Sequence, residues 1–132
     1  MSTELLCQYL GDEQVEIIHG PTGNKLLTDL PPDNGGRGRT FSPTDLTAGS
    51  LASCILTIMA KAAEKNHLDI KGTSLKITKD MQDNPRRIGK FILQFSFPPH
   101  ISSEQKEKLM VVIKACPVHR SLHPDVHLEV HS

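Results

Sequence analysis

Between Leu46 and Ala60 the chain runs for fifteen residues without a charged side chain. The residues just before this run, Ser42-Pro43-Thr44-Asp45, read as a helix start. Ser42 suits the N-cap, and Pro43 suits the first helical position, where a missing N–H costs nothing. Asp45, three residues after the cap, can reach back to it and complements the positive end of the helix dipole. The pattern predicts a helix from Pro43 to about Asn66. Its middle is apolar on nearly every side, so it belongs at the centre of a molecule or at an interface. Only its end, Lys61 to Lys65, looks solvated. The uncharged run is shorter than the roughly 20 residues a bilayer demands, and it contains Thr47, Gly49, Ser50, Ser53 and Thr57. A buried helix of a soluble protein is expected, with no membrane association.

The rest of the chain divides around this helix. Upstream, ELLCQYL (4–10), QVEIIHG (14–20) and KLLTD (25–29) are separated by Gly11-Asp12 and by Gly20-Pro21-Thr22-Gly23. That spacing predicts two or three antiparallel strands. Leu30 to Thr40 is a loop in which Gly35, Gly36 and Gly38 permit close backbone approach. Downstream, Ile70 to Met81 and Arg87 to Phe97 alternate and predict a long hairpin across Gln82-Asp83-Asn84-Pro85. Phe91, Leu93, Phe95 and Phe97 share one side of it. Ser102 or Ser103 then starts a second helix with Leu109, Val112, Ile113 and Cys116 on its buried side, interrupted by Pro117. A last strand covers Val126 to His131. The order is α+β, and at 132 residues the expectation is one domain, 1–132.

Fifteen basic residues balance fifteen acidic ones, and there is no Trp, one Tyr and four Phe. Neither a strong electrostatic field nor a set of stacking platforms is available, so nucleic acid is not an expected partner. Met1 to Leu10 has no basic segment and carries Glu4, so no export signal is expected. Three cysteines are too few, and odd in number, for a disulfide framework. A reducing, cytoplasmic setting with free thiols follows.

Two of those thiols carry the chemical interest. Cys54 sits in the middle of the apolar helix, and Cys116 directly precedes Pro117. A proline at a first helical position makes Cys116 an N-cap, where free N–H groups are expected to lower a thiol's pKa. Cys7 lies in a strand and reads as structural. The histidines offer a different chemistry: Cys116, His119, His123 and His127 lie within twelve positions, a loosely zinc-like spacing without a Cys-x-x-Cys knuckle. Solvent-facing imidazoles on a turn and an edge strand are the plainer alternative. Gly35-Gly36-Arg37-Gly38 lacks the Gly-Lys-Ser/Thr ending of a P-loop. A basic, Gly-rich loop before a helix N-terminus still suits an anionic group.

The segment FSPTDLTAGSLASCILTIMA, with Leu46 eight residues before Cys54, resembles the central-helix motif of the OsmC/Ohr family of organic hydroperoxide reductases. KACPVHRSLHPDV around Cys116 resembles the family's second motif, Cys-Pro-Val. The resemblance runs from about Gly35 to the end, and is closer to the OsmC-like branch than to the Ohr enzymes proper. It implies an OsmC-like fold, antiparallel sheets around long central helices, in an intertwined homodimer with active sites at the interface. It further implies that Cys54 is a peroxidatic nucleophile for organic hydroperoxides and that Cys116 resolves its sulfenic acid into a disulfide. A dithiol reductant of the lipoyl type, and no metal or organic cofactor, complete the implied scheme. Family members hold an arginine over the thiolate with a glutamate directly after the motif proline. Here Thr44 stands there and Asp45 follows. Arg37, Arg39, Asp45 and Arg87 are the candidates for activating the thiolate or binding substrate. The alternative is an OsmC-like small-ligand-binding or other thiol-redox protein with little peroxidase activity.

Overall fold

The computed structural model describes all residues, Met1–Ser132. Their contacts separate into two compact units, Met1–Leu46 and Thr47–Ser132.

The first unit is an antiparallel meander, β1 (Leu5–Gly11), β2 (Gln14–His19) and β3 (Lys25–Asp29), in that spatial order. Of the two or three strands expected, three form, each within a residue or so of its segment's bounds. The loop after β3 folds onto itself. The Gly36 N–H donates to the Pro31 carbonyl at 2.9 Å and the Gly38 N–H to the Leu30 carbonyl at 3.0 Å. A Cβ on Gly36 would fall 2.1 Å from the Leu30 oxygen, and Gly38 has φ +60°, so neither position tolerates an ordinary side chain. These amides are therefore satisfied within the loop, and the close approach expected of the glycines is to the chain's own backbone, not to a phosphate. The helix start takes the expected form: the Ser42 N–H donates to the Asp45 carboxylate at 2.8 Å, and the Asp45 N–H donates to Ser42 Oγ at 3.0 Å. This reciprocal cap satisfies two of the amides at the opening turn, to which Pro43 contributes none.

The helix it opens, α1 (Pro43–Glu64), runs into the second unit. It stops two residues before the expected end, where the chain turns and the Leu68 N–H caps the Ala63 carbonyl at 3.0 Å. By length and composition α1 could cross a membrane. In the fold its apolar ridge is spent on a core instead: Leu51, Ile55 and Met59 are wholly buried and join one cluster with Phe91, Leu93, Phe95, Leu109 and Ile113.

The sheet under that ridge holds β4 (Ser74–Gln82), β5 (Arg87–Ser96) and β6 (His127–His131), with β5 central. β4 pairs antiparallel with β5, and β6 pairs parallel with it. The strict alternation of β5 puts Phe91, Leu93 and Phe95 on the core side while Gln94 and Ser96 face solvent. β4 begins at Ser74, four residues later than the alternation suggested. Residues 70–73 form a turn closed by the Thr73 N–H on the Ile70 carbonyl at 2.9 Å, and Gly72 has φ +92°. α2 (Ser103–Met110) starts at Ser102, whose Oγ accepts from the Gln105 N–H while the Gln105 side chain accepts from the Ser102 N–H. The single second helix expected up to Pro117 tightens into a 3-10 segment, Val111–Ala115, before α3 (Pro117–Arg120). That tightening still leaves Leu109, Ile113 and Cys116 buried together.

Truncating this core should cost heavily. Leu51→Ala is expected to lower stability by about 2–5 kcal/mol, read from urea unfolding. Val130→Ala, on an exposed β6 position, should stay within about 0.5 kcal/mol.

Candidate functional site: a buried dithiol

α1 and the 3-10 segment before α3 bring Cys54 and Cys116, 62 positions apart in sequence, side by side within the second unit. The Cys54 side chain lies near enough to the Cys116 thiol to act on its ionisation, and both residues are free thiols. The reason is geometric. Cys54 adjoins Ile55 and lies one turn from Leu51 on α1, at the rim of the buried ridge, and is half-buried. Cys116 is fully buried in the same cluster.

Cys116 is the N-cap of α3, and its Sγ accepts the His119 N–H at 3.4 Å. The expected consequence, a lowered thiol pKa, does not follow. Burial pushes the Cys116 thiol up, and the adjacent Cys54 pushes the same way; the N–H groups of His119 and Val118 oppose them and lose. A single turn of helix offers two amides, whereas a wholly enclosed sulfur loses all of its water. In the reduced protein Cys116 therefore keeps its proton.

The charged candidates part company. In the first unit Arg39 is fixed in place. Its Nε donates to Asp29 Oδ2 at 2.8 Å and its Nη2 to Asp29 Oδ1 at 3.1 Å. Nη1 reaches Asp12 Oδ2, and Nη2 the Asp12 carbonyl, both at 2.8 Å. Asp29 is buried and also accepts the backbone N–H groups of Leu30 and Arg39. The Arg39 guanidinium and these amides hold the Asp29 carboxyl down at about 2. The same guanidinium lowers Asp12, and the two carboxylates raise Arg39 in turn. Arg37 is exposed and pairs with Asp12 at 2.9 Å. Asp45 takes part in the cap of α1. In the second unit Arg87 lies 3.8 Å from Asp125, and its Nη1 is buried with no hydrogen-bond partner. No three His, Cys, Asp or Glu side chains converge to hold a metal ion. His119, His123 and His127 are not gathered with Cys116 into a ligand set, because α3 and β6 are separated by the turn around Pro124.

Sequence reasoning missed Asp12 and Asp29. Twenty-seven and ten positions, respectively, separate them from Arg39, and neither spacing belongs to a recognisable motif. The only available signal was an acidic residue at the end of a strand, directly before the Pro-Gly loop.

The sequence profile of the OsmC-like protein family matches residues 35–131. The chain belongs to the OsmC-like family. A structure from Psychrobacter arcticus 273-4, described as an osmotic stress induced and detoxification response protein, is 37% identical, with a TM-score of 0.92 over 99% of this chain and 96% of that one. The organic hydroperoxide resistance protein OsmC of Legionella pneumophila matches at TM-score 0.81 and 16% identity, over 99% and 96% of the two chains. OhrB of Bacillus subtilis, an organic hydroperoxide resistance protein, matches at 0.72 and 14%, over 99% and 97%. At those identities the last two establish the shared α+β fold. No functionally curated protein matches the chain in sequence.

The Asp29 clamp has a defined pH signature. Its carboxyl sits below the unfolded value of about 3.9, so the stabilisation is complete above pH 4 and is lost as pH falls toward 2. Asp29→Asn removes that contribution. The melting-temperature gap between the parent and Asp29→Asn should be widest near pH 6 and should shrink between pH 4 and pH 2.

Proposed function

We propose that this OsmC-like chain, acting as one domain over residues 1–132, is a cysteine-based thiol peroxidase that reduces organic hydroperoxides. The observation that carries the reading is the neighbouring pair of free thiols, Cys54 and Cys116, inside an OsmC-like fold. Peroxide reduction by cysteine needs an accessible nucleophile and a second thiol close enough to condense with the sulfenic acid before further oxidation. Cys54, half-buried, is the nucleophile, and Cys116, enclosed beside it, is the resolving thiol. A dithiol of the lipoyl type then returns the disulfide to two thiols. Neither a metal nor an organic cofactor enters the scheme.

A thiolate nucleophile gains from a nearby permanent cation. Arg39 is retained for the thiolate-activating or substrate-binding role because it is the guanidinium clamped by a buried carboxylate. Arg37, Asp45 and Arg87 are the lesser candidates. A homodimer is part of the proposal. Leu5, Leu6, Tyr9 and Leu10 on β1 are each more than half exposed, and a three-stranded meander with apolar residues left in water needs a cover. The working compartment is the reducing cytoplasm, where a dithiol can be regenerated.

Thr44, in the place of the family's glutamate, favours a second reading in which the same dithiol serves another thiol-redox reaction, or the fold binds a small ligand, with little peroxidase activity. One titration separates the two. Under the peroxidase reading, an alkyl hydroperoxide added to reduced protein consumes two thiols per chain, and Cys54→Ser abolishes turnover. If excess hydroperoxide leaves Cys54 and Cys116 reduced while a small disulfide oxidant bridges them, the peroxidase reading is overturned and the second stands. Light scattering should return twice the 14.6 kDa chain mass.

A further inference from the structure

The resolving thiol is placed more elaborately than resolution alone demands. A cysteine that only had to meet a sulfenic acid could sit at the surface and arrive by loop motion. Cys116 is instead wholly enclosed, adjoins Cys54, and has an N–H aimed at its sulfur from one turn ahead. These features oppose each other in the reduced protein. Enclosure and the neighbouring Cys54 keep the Cys116 proton in place, while the amides of His119 and Val118 are poised to stabilise a thiolate that has not yet formed.

The chemistry of peroxide reduction supplies the moment when the balance changes. A thiolate at Cys54 donates its electron pair to the terminal oxygen of the hydroperoxide. The S–O bond forms, the O–O bond breaks, and an alkoxide leaves. An alkoxide is a far stronger base than a thiolate, so a proton delivered to it during bond breaking lowers the barrier. Once Cys54 is a neutral sulfenic acid, the charge that opposed ionisation of Cys116 is gone.

Building on the peroxidase reading above, we propose that Cys116 is a proton donor as well as a resolving thiol: it protonates the departing alkoxide. The thiolate needed for the second step is thereby created by the first, against the His119 N–H. The balance closes. The hydroperoxide gains two electrons and becomes an alcohol, taking its proton from Cys116. The Cys116 thiolate then attacks the sulfur of Cys54–SOH, the S–S bond forms, the S–O bond breaks, and hydroxide leaves to become water with a solvent proton. The two cysteines lose two electrons between them. The order of events is imposed by charge: Cys116 cannot become a nucleophile until Cys54 has been oxidised, which limits idle thiolate in the core.

The experiment isolates the first step. In a Cys7→Ser background, sulfenic acid formation at Cys54 is followed in a single turnover for the parent and for Cys116→Ala and Cys116→Val, two donor-free variants of different volume. Each is challenged with an alkyl hydroperoxide, whose leaving group is an alkoxide, and with a peroxycarboxylic acid, whose carboxylate leaving group needs no proton. Loss of the donor should slow the alkyl hydroperoxide reaction by about 10²-fold, while the peroxyacid rate stays within a few-fold of the parent. Cys116→Ser, which restores an O–H donor, should recover part of the loss. If the donor-free variants match the parent on both substrates, or lose rate equally on both, Cys116 is only a resolving thiol and the proton-donor assignment is overturned. If the parent itself oxidises with neither substrate, the peroxidase reading fails first, a result distinct from either.

Discussion

Burying one ridge of α1 against the core face of β5 is the constraint on which the second unit depends. Leu51, Ile55 and Met59 recur at helical spacing, and Phe91, Leu93 and Phe95 at strand spacing. The two periods describe the same act, removal of apolar surface from water, worth about 25 cal/mol for each Å². Once that ridge is committed, the azimuth of every other residue on α1 is settled within the unit. Cys54 falls beside the ridge: buried enough to touch the core and open enough to be approached. The position of Cys54 is thus a by-product of packing, and packing is what makes it rigid.

The second thiol arrives by a different route. The chain after α2 tightens into a 3-10 segment, closes on Cys116, and restarts at Pro117 as a helix of one turn. The proline is central to this. It brings no N–H to the first helical position, and its ring disfavours a helical conformation for Cys116. Cys116 accordingly has extended backbone, φ −65° and ψ 118°, with its sulfur turned back onto the His119 N–H. The same turn buries that sulfur in the cluster that contains the α1 ridge. Electrostatics then follows from geometry: enclosure outweighs two amide dipoles, and the thiol stays protonated beside its neighbour.

The first unit solves a different problem with charge. Asp29 is buried at the end of β3, where an unpaired carboxylate would be costly. Arg39 and two backbone amides satisfy it, and Asp12 steadies the far side of the guanidinium. Glycines at 36 and 38 let the loop carrying Arg39 fold tightly enough to reach. The outcome is a cation whose orientation is set by a network instead of a flexible stem.

Much of this was legible in the amino-acid order, wherever the determining forces are local. The Ser42-Pro43-Asp45 cap, the three upstream strands, the alternation of β5 and the N-cap character of Cys116 all depend on residues within a few positions of each other. Their periodicities and turn chemistry survive in any context. The motifs around Cys54 and Cys116 likewise pointed to the OsmC-like family, to which the chain belongs. Other features needed the folded molecule. The parallel pairing of β6 with β5, the meeting of two sulfurs 62 positions apart and the capture of Arg39 by Asp12 and Asp29 join residues that share no local pattern. The sign of the Cys116 shift is the sharpest case. An N-cap position argues for a more acidic thiol, but how much water a sulfur loses is a property of everything packed around it, and only the tertiary structure decides that.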